Sequence, residues 1–122
     1  MGKRLLVVDD SRVSRIIIRN KIAALCPEWA IFEAATGNEA VEMAAQIEPD
    51  YITMDVTMPG INGYDAAEQL HKLLPAAKIT MLTANIQESS RERAAQLGVR
   101  FLAKPVTESV IEEAVHFFRD GV

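Results

Sequence analysis

Three carboxylates, one hydroxyl and one amine stand at places from which they can meet. Asp9 and Asp10 follow directly on the apolar run Leu5-Leu6-Val7-Val8. Asp55 closes a run that begins at Tyr51, and Thr83 closes one that begins at Lys78. Lys104 precedes Pro105 just beyond the run Val99–Ala103. If these runs are neighbouring parallel strands, all five groups gather outside the strands' carboxyl ends, where open α/β sheets bind ligands. Carboxylates crowded in this way repel one another and cannot all ionise cheaply. A hard divalent cation relieves the repulsion. Carboxylates, carbonyls and water suit Mg²⁺, which also holds phosphate oxygens. Beside such a cation a carboxylate can act as a nucleophile toward phosphorus and form an aspartyl phosphate. A lysine can then neutralise one phosphoryl oxygen and a threonine can donate to another. Asp55, Lys104 and Thr83 supply those parts. No Cys/His set offers a zinc site: His71 and His116 belong to different helical segments and Cys26 ends the first, and all three read as structural.

The chain has the elements to bring these residues together. Short apolar runs alternate with helical patterns, and the expected strands are Arg4–Asp9, Ala30–Ala34, Tyr51–Asp55, Lys78–Thr83 and Val99–Ala103. Runs that are continuously apolar rather than alternating belong to strands buried on both faces. Between them the 3.6-residue period appears. Val110, Ile111, Ala114, Val115 and Phe118 form the cleanest stripe. Ala40, Val41, Ala44 and Ala45 form another, as do Ala66, Ala67, Leu70, Leu73 and Leu74. In the first helical segment Val13, Ile16 and Ile17 align until Asn20 interrupts them. Ser11 and Thr107 are suited to N-caps, Gly98 to a helix C-terminus, and Pro27, Pro49 and Pro75 fall between elements. Strict β-α alternation implies a parallel sheet with helices on both faces and right-handed crossovers. Five strands in a chain of this size fit the order 2-1-3-4-5, a flavodoxin-like three-layer sandwich with five helices.

Composition narrows the function classes. The 122 residues match one domain, 49% of them hydrophobic, enough for a core without disulfides, and a single cysteine permits no internal disulfide. A net charge of -4 argues against a broad nucleic-acid footprint. No apolar run approaches the roughly 20 residues of a membrane span, and the N-terminus lacks both a secretory signal and a myristoylation pattern. The expectation is a cytoplasmic protein that contacts neither membrane nor nucleic acid.

Asp9-Asp10 after an apolar strand, Asp55-Val56-Thr57-Met58-Pro59 followed by Asn62-Gly63, then Thr83-Ala84 and Lys104-Pro105, form in this order and spacing a specific signature. With it the chain resembles the receiver domain of two-component response regulators over about residues 3–119, and in particular the stand-alone chemotaxis type. The resemblance implies a phosphoacceptor, Asp55, loaded from a phospho-histidine donor on a histidine kinase or a histidine phosphotransfer domain. It implies Mg²⁺ held by Asp55, by Asp10 directly, by Asp9 through water and by the backbone carbonyl of Thr57. Lys104 would contact the phosphoryl group, the bond before Pro105 would be cis, and Thr83 would swing toward the phosphoryl group. Phe101 matches the aromatic switch position, and the side chains of Thr57 and Asn85 would set the phosphoryl lifetime. A downstream effector protein would read the surface made by the fourth helical segment, the fifth strand and the last helix. Catalysis would be confined to self-phosphorylation and self-dephosphorylation. Asn62 departs mildly from the family, which commonly has Asp there.

Taken singly, Asp9-Asp10 reads equally well as a surface turn, Asp55 as a loop cap and Lys104 as a solvated lysine. Their joint order is what speaks. Arg12, Arg15 and Arg19 share one face of the first helix; the bland reading is a solvated basic face, the sharper one a docking site for the kinase. A phosphatase of the haloacid-dehalogenase type would need a second Asp where Thr57 stands. A nucleotide-binding module would need a Gly-rich phosphate loop that is missing. A degenerate receiver would lack one of the acidic, Thr or Lys positions, and all are present. Residues 1–122 are therefore expected to form a single, complete receiver domain acting by protein contact, the alternative being a receiver cut from a larger hybrid kinase or regulator.

Overall fold

The computed structural model describes residues 2–56, 60, 62–83 and 98–120. In chain order they form β1 (Arg4–Val8), α1 (Arg12–Leu25), β2 (Ala30–Ala34), α2 (Gly37–Ile47), β3 (Tyr51–Asp55), α3 (Gly63–Leu73), β4 (Lys78–Thr83), β5 (Arg100–Ala103) and α4 (Glu108–Asp120). The five strands pair in parallel in the order β2-β1-β3-β4-β5, the expected topology. The helix expected between β4 and β5 falls on residues 84–97, outside the described residues, so four helices are seen among those described. The first strand ends at Val8 and the last begins at Arg100, each one residue inside its expected bound. Among the described residues, no helix is long and apolar enough to cross a membrane.

The strand order follows from who tolerates burial. All five residues of β3 are buried, as are Leu5–Val8 of β1 and Ile79–Thr83 of β4. The outer strands β2 and β5 are only partly buried and carry Glu33 and Arg100. Alternation splits the core in two. Leu6, Val8, Ile52, Met54, Ile79 and Met81 face α2 and α3, with Ala40, Ala44, Ala66, Ala67 and Leu70 filling the interface. Leu5, Val7, Tyr51, Leu82 and Leu102 face α1 and α4. At the amino-terminal end of the sheet, the Tyr51 ring stacks on Phe118 (centroids 4.8 Å, planes 17° apart) and lies 4.8 Å from Trp29.

Each helix start is pinned by a side-chain oxygen. Ser11, Thr36 and Asn62 accept from the backbone N–H three residues on, and Thr107 accepts from Val110. Ser11 and Thr107 fill their expected roles, and Asn62 turns out to be a cap (Asp65 N–H to Oδ1, 2.9 Å) rather than merely a turn residue. Gly98, with φ at +70°, sits in the left-handed region that favours glycine.

The irregular apolar pattern of α1 does not mark its inward face. The aligned stripe Val13, Ile16 and Ile17 points outward, with Val13 66% exposed, while Ile18 and Ile22 are buried. The helix is rotated so that Arg15, Ile18 and Ile22 face the sheet, because Arg15 has polar partners beneath it, described below.

Gly63 has a steric reason. A Cβ there would lie 2.3 Å from the Asp55 carbonyl oxygen and 2.8 Å from the Val56 Cα. Its N–H donates to the Val56 carbonyl at 2.9 Å, so α3 begins pressed against the end of β3. Gly63→Ala is expected to destabilise the fold by about 1–3 kcal/mol, as overpacking does, measured as a lower urea midpoint at unchanged m-value.

Candidate functional site

The crevice forms where the chain reverses direction across the sheet. From β1 one crossover leads to β2 and the next returns past β1 to β3, so the carboxyl ends of β1 and β3 part and leave room for a ligand. Asp9 lies one residue past β1 and is 1% exposed; Asp55 ends β3 and is 6% exposed. Asp10 beside them is exposed. Each of the three offers one carboxylate oxygen, and the three oxygens lie within 4.8 Å of one another.

Lys104 enters from the far side of the sheet. Its N–H donates to the Thr83 carbonyl at 2.6 Å, extending the β4–β5 pairing by one residue. Its Nζ donates to Asp9 Oδ2 at 3.0 Å and pairs with Asp55 Oδ1 at 3.3 Å. The Lys104–Pro105 bond is cis. Thr83 is buried at the end of β4. Alternation puts it on the sheet face of Met81 and Phe101, diagonal to Phe101 across the β4–β5 pairing. Phe101 is half-buried and lies parallel to the Tyr64 ring of α3, centroids 6.5 Å apart and planes 10° apart. Asp9, Asp10, Asp55, Thr83 and Lys104 thus meet at one edge. Thr57 and Asn85 lie outside the described residues.

The electrostatics follow from burial. Asp55 titrates at about 6, raised first by loss of water and next by the Asp9 charge, against the pull of Lys104. Burial lowers the Lys104 pKa, but the hydrogen bond to Asp9 and the charge of Asp55 outweigh it, and the net shift is upward. Three oxygen donors of hard character, with more negative charge than one ammonium neutralises, suit a hard divalent cation.

Strand β2 carries a residue that pattern reading passes over. Glu33 accepts from Arg15 Nε at 3.1 Å and Arg19 Nη1 at 2.8 Å, and the hydrogen bond from Arg19 is the first cause of its lowered pKa. Arg15 also donates through Nη1 to the Asp9 carbonyl at 2.7 Å. Two of the three aligned arginines are therefore engaged within the fold, and the basic stripe is not simply a solvated face. The signal available in the sequence was an acid in an otherwise apolar strand.

Comparison with known proteins agrees with this geometry. The model of the response regulator receiver domain family matches residues 5–116. The chemotaxis protein CheY of Thermotoga maritima is 39% identical over 117 residues, 95% of this chain and 97% of that protein. The response regulator domain of Thermotoga maritima CheB superposes with a TM-score of 0.84 at 30% identity, covering 98% of this chain and 95% of that one. A response regulator from Burkholderia pseudomallei, solved with a phosphorylated aspartic acid, a calcium ion and citrate, has the same fold, with a TM-score of 0.83 at 24% identity over 98% of this chain and 71% of that one. The chain belongs to the receiver domain family of two-component response regulators. It is CheY-like, a signalling domain of a kind that binds a divalent metal at the acidic pocket and interacts with histidine kinases and downstream effectors.

The raised Asp55 pKa makes the stability of the metal-free protein depend on pH. Its protonated form is favoured by folding, so this contribution is present below the ordinary aspartate value of 3.8 and is lost as pH rises through about 6. With EDTA present, Asp55→Asn is expected to be more stable than the unsubstituted protein above pH 6, by up to about 3 kcal/mol, with the gap closing toward pH 4. Urea midpoints taken across pH 4–8 check the sign, and a gap independent of pH would contradict it.

Proposed function

We propose that Asp55 is the phosphoacceptor of this chain and that Mg²⁺ is the ion its acids hold. The observation that carries the reading is the approach of the Asp9, Asp10 and Asp55 oxygens to within 4.8 Å of one another, with Lys104 Nζ 3.0 and 3.3 Å from two of the carboxylates. An ionised Asp55 oxygen attacks the phosphorus of a phospho-histidine. The new P–O bond forms as the P–N bond breaks, and the imidazole nitrogen keeps the electron pair and takes up a proton. Asp9, Asp10, Asp55 and the Thr57 carbonyl would hold Mg²⁺, which when bound would supply positive charge to the phosphoryl oxygens. Lys104, already paired with Asp55, neutralises another oxygen, and Thr83 donates its hydroxyl to a third. The phosphorylated aspartate recorded in the Burkholderia pseudomallei relative supports this chemistry by analogy. Self-phosphorylation from small donors and self-dephosphorylation are the only catalysis proposed, with Thr57 and Asn85 setting the lifetime.

The output is a change of protein contacts. New charge and acceptor oxygens at a buried edge draw Thr83 and Lys104 inward. Phe101, diagonal to Thr83 and packed against Tyr64, follows into the space released. This biases the surface of β5, α4 and the segment before β5 that an effector reads, part of which lies in residues 84–97. The partners are proteins rather than nucleic acid or membrane, in keeping with a net charge of -4, and the setting is the cytoplasm. Residues 1–122 act as one receiver domain.

Incubation with acetyl phosphate and Mg²⁺ should add one phosphoryl group by intact mass, and neither Asp55→Asn nor an EDTA-treated sample should gain it. Absence of the gain in the unsubstituted protein, or its persistence in Asp55→Asn, overturns the reading. Phe101→Ala should still gain the group, yet the amide chemical-shift changes that phosphorylation produces in α4 should shrink by at least about half, the size expected when a coupling element is lost. Undiminished shifts would remove Phe101 from the switch.

A further inference from the structure

We infer that Arg15, oriented by Glu33, is a positioning residue for the acidic pocket and sets the affinity of Asp10 and Asp9 for a divalent cation. The inference rests on the reading of those acids as a metal site and assigns a task to a residue that touches neither metal nor phosphoryl group.

The Asp9 peptide is held at every polar atom. Its N–H donates to the Ala34 carbonyl of β2 at 3.1 Å. Its carboxylate accepts from the Ser11 N–H at 2.9 Å and from Lys104 Nζ at 3.0 Å. Its carbonyl accepts from Arg15 Nη1 at 2.7 Å. That carbonyl belongs to the peptide plane joining Asp9 to Asp10, so its direction sets where the Asp10 side chain leaves the backbone. Among the described residues no hydrogen bond or ion pair is seen on the exposed Asp10 carboxylate. Its place in the cluster follows the Asp9–Asp10 backbone, whose carbonyl Arg15 holds.

Arg15 can do this because it is itself held. Its side chain is 15% exposed, and its Nε donates to Glu33 Oε1 at 3.1 Å. The rigid planar fork lets one guanidinium reach a β2 carboxylate and a loop carbonyl together. Arg19 bonds the other oxygen of Glu33 at 2.8 Å from the outer side, and no hydrogen bond joins it to Asp9. Outer partners that orient metal ligands commonly govern affinity by 10–100-fold.

Two opposed effects separate position from charge. Removing a cation near an acidic pocket should, through the field alone, tighten binding of a divalent cation. Loss of positioning should weaken it. The test is calorimetric titration of the full chain with MgCl₂ at 25 °C, with circular dichroism to confirm folding. Arg15→Met keeps the apolar stem and should raise the Mg²⁺ Kd by about tenfold or more. Arg15→Lys, whose single ammonium cannot span both acceptors, should fall between and guards against a misfolded Met variant. Arg19→Met removes an ion pair from the same Glu33 and should leave Kd within about twofold of the original, since it never reaches Asp9. Arg15 variants that are folded and bind Mg²⁺ as tightly as, or tighter than, the unsubstituted chain would overturn the inference. So would an Arg19→Met loss equal to that of Arg15→Met, which would mark a general loss of stability. An unsubstituted chain with no Mg²⁺ affinity would instead overturn the metal-site reading and the inference with it, so the two failures are distinguishable.

Discussion

Asp9 and Asp55 stand almost wholly out of water at the same end of the sheet, and the ammonium of Lys104 sits between them. Like charges in a low-dielectric edge repel strongly, and one cation balances only part of three carboxylates. The raised titration of Asp55 reflects first its burial and next the repulsion from Asp9. The remaining negative charge is what makes the pocket receptive to a divalent ion. Asp55 is paired directly with Lys104, whose backbone is tied in turn to Thr83.

The scaffold separates this strained end from the stable one. Near the amino-terminal ends of the strands, Trp29, Tyr51 and Phe118 form an aromatic cluster, and Lys78 Nζ donates to the Phe118 carbonyl at 3.0 Å. At the functional end, rigidity comes from backbone ties. Asp9 is fixed to β2, Val56 to the Leu82 carbonyl, Lys104 to Thr83, and Gly63 to Val56. Phe101 and Tyr64 meet there through ring contact alone, outside the backbone ladder.

The α1 helix shows two faces with different duties. Inward, Ile18 and Ile22 pack on the sheet, and Arg15 bonds Glu33 and the Asp9 carbonyl. Outward, Val13, Ile16 and Ile17 are exposed beside the acidic loop. The inward polar contacts choose the rotation, since burying Ile16 and Ile17 instead would swing the Arg15 guanidinium away from both acceptors.

Much of this was legible in the residues themselves. Short runs between the helical patterns placed β2, β3 and β4 to the residue. Ser11 and Thr107 marked helix starts because capping is local chemistry. The order of Asp9-Asp10, Asp55, Thr83 and Lys104 was enough to expect one converged site, because parallel strands all end on one side. What tertiary structure alone decided is contact between elements far apart in the chain. Glu33 looked idle until β2 was laid beside β1 and beneath α1, because its partners lie 14 and 18 residues away. The Val13, Ile16, Ile17 stripe has the right period for a core face, but period fixes only which residues share a side, not which side turns inward. The space that Gly63 must leave empty is defined by the backbone at Asp55 and Val56, which only the assembled fold brings there. Residue type and spacing determined the elements and the chemistry at their ends; the rotation of α1 and the support beneath the acids were settled by packing, because those contacts have no local signature.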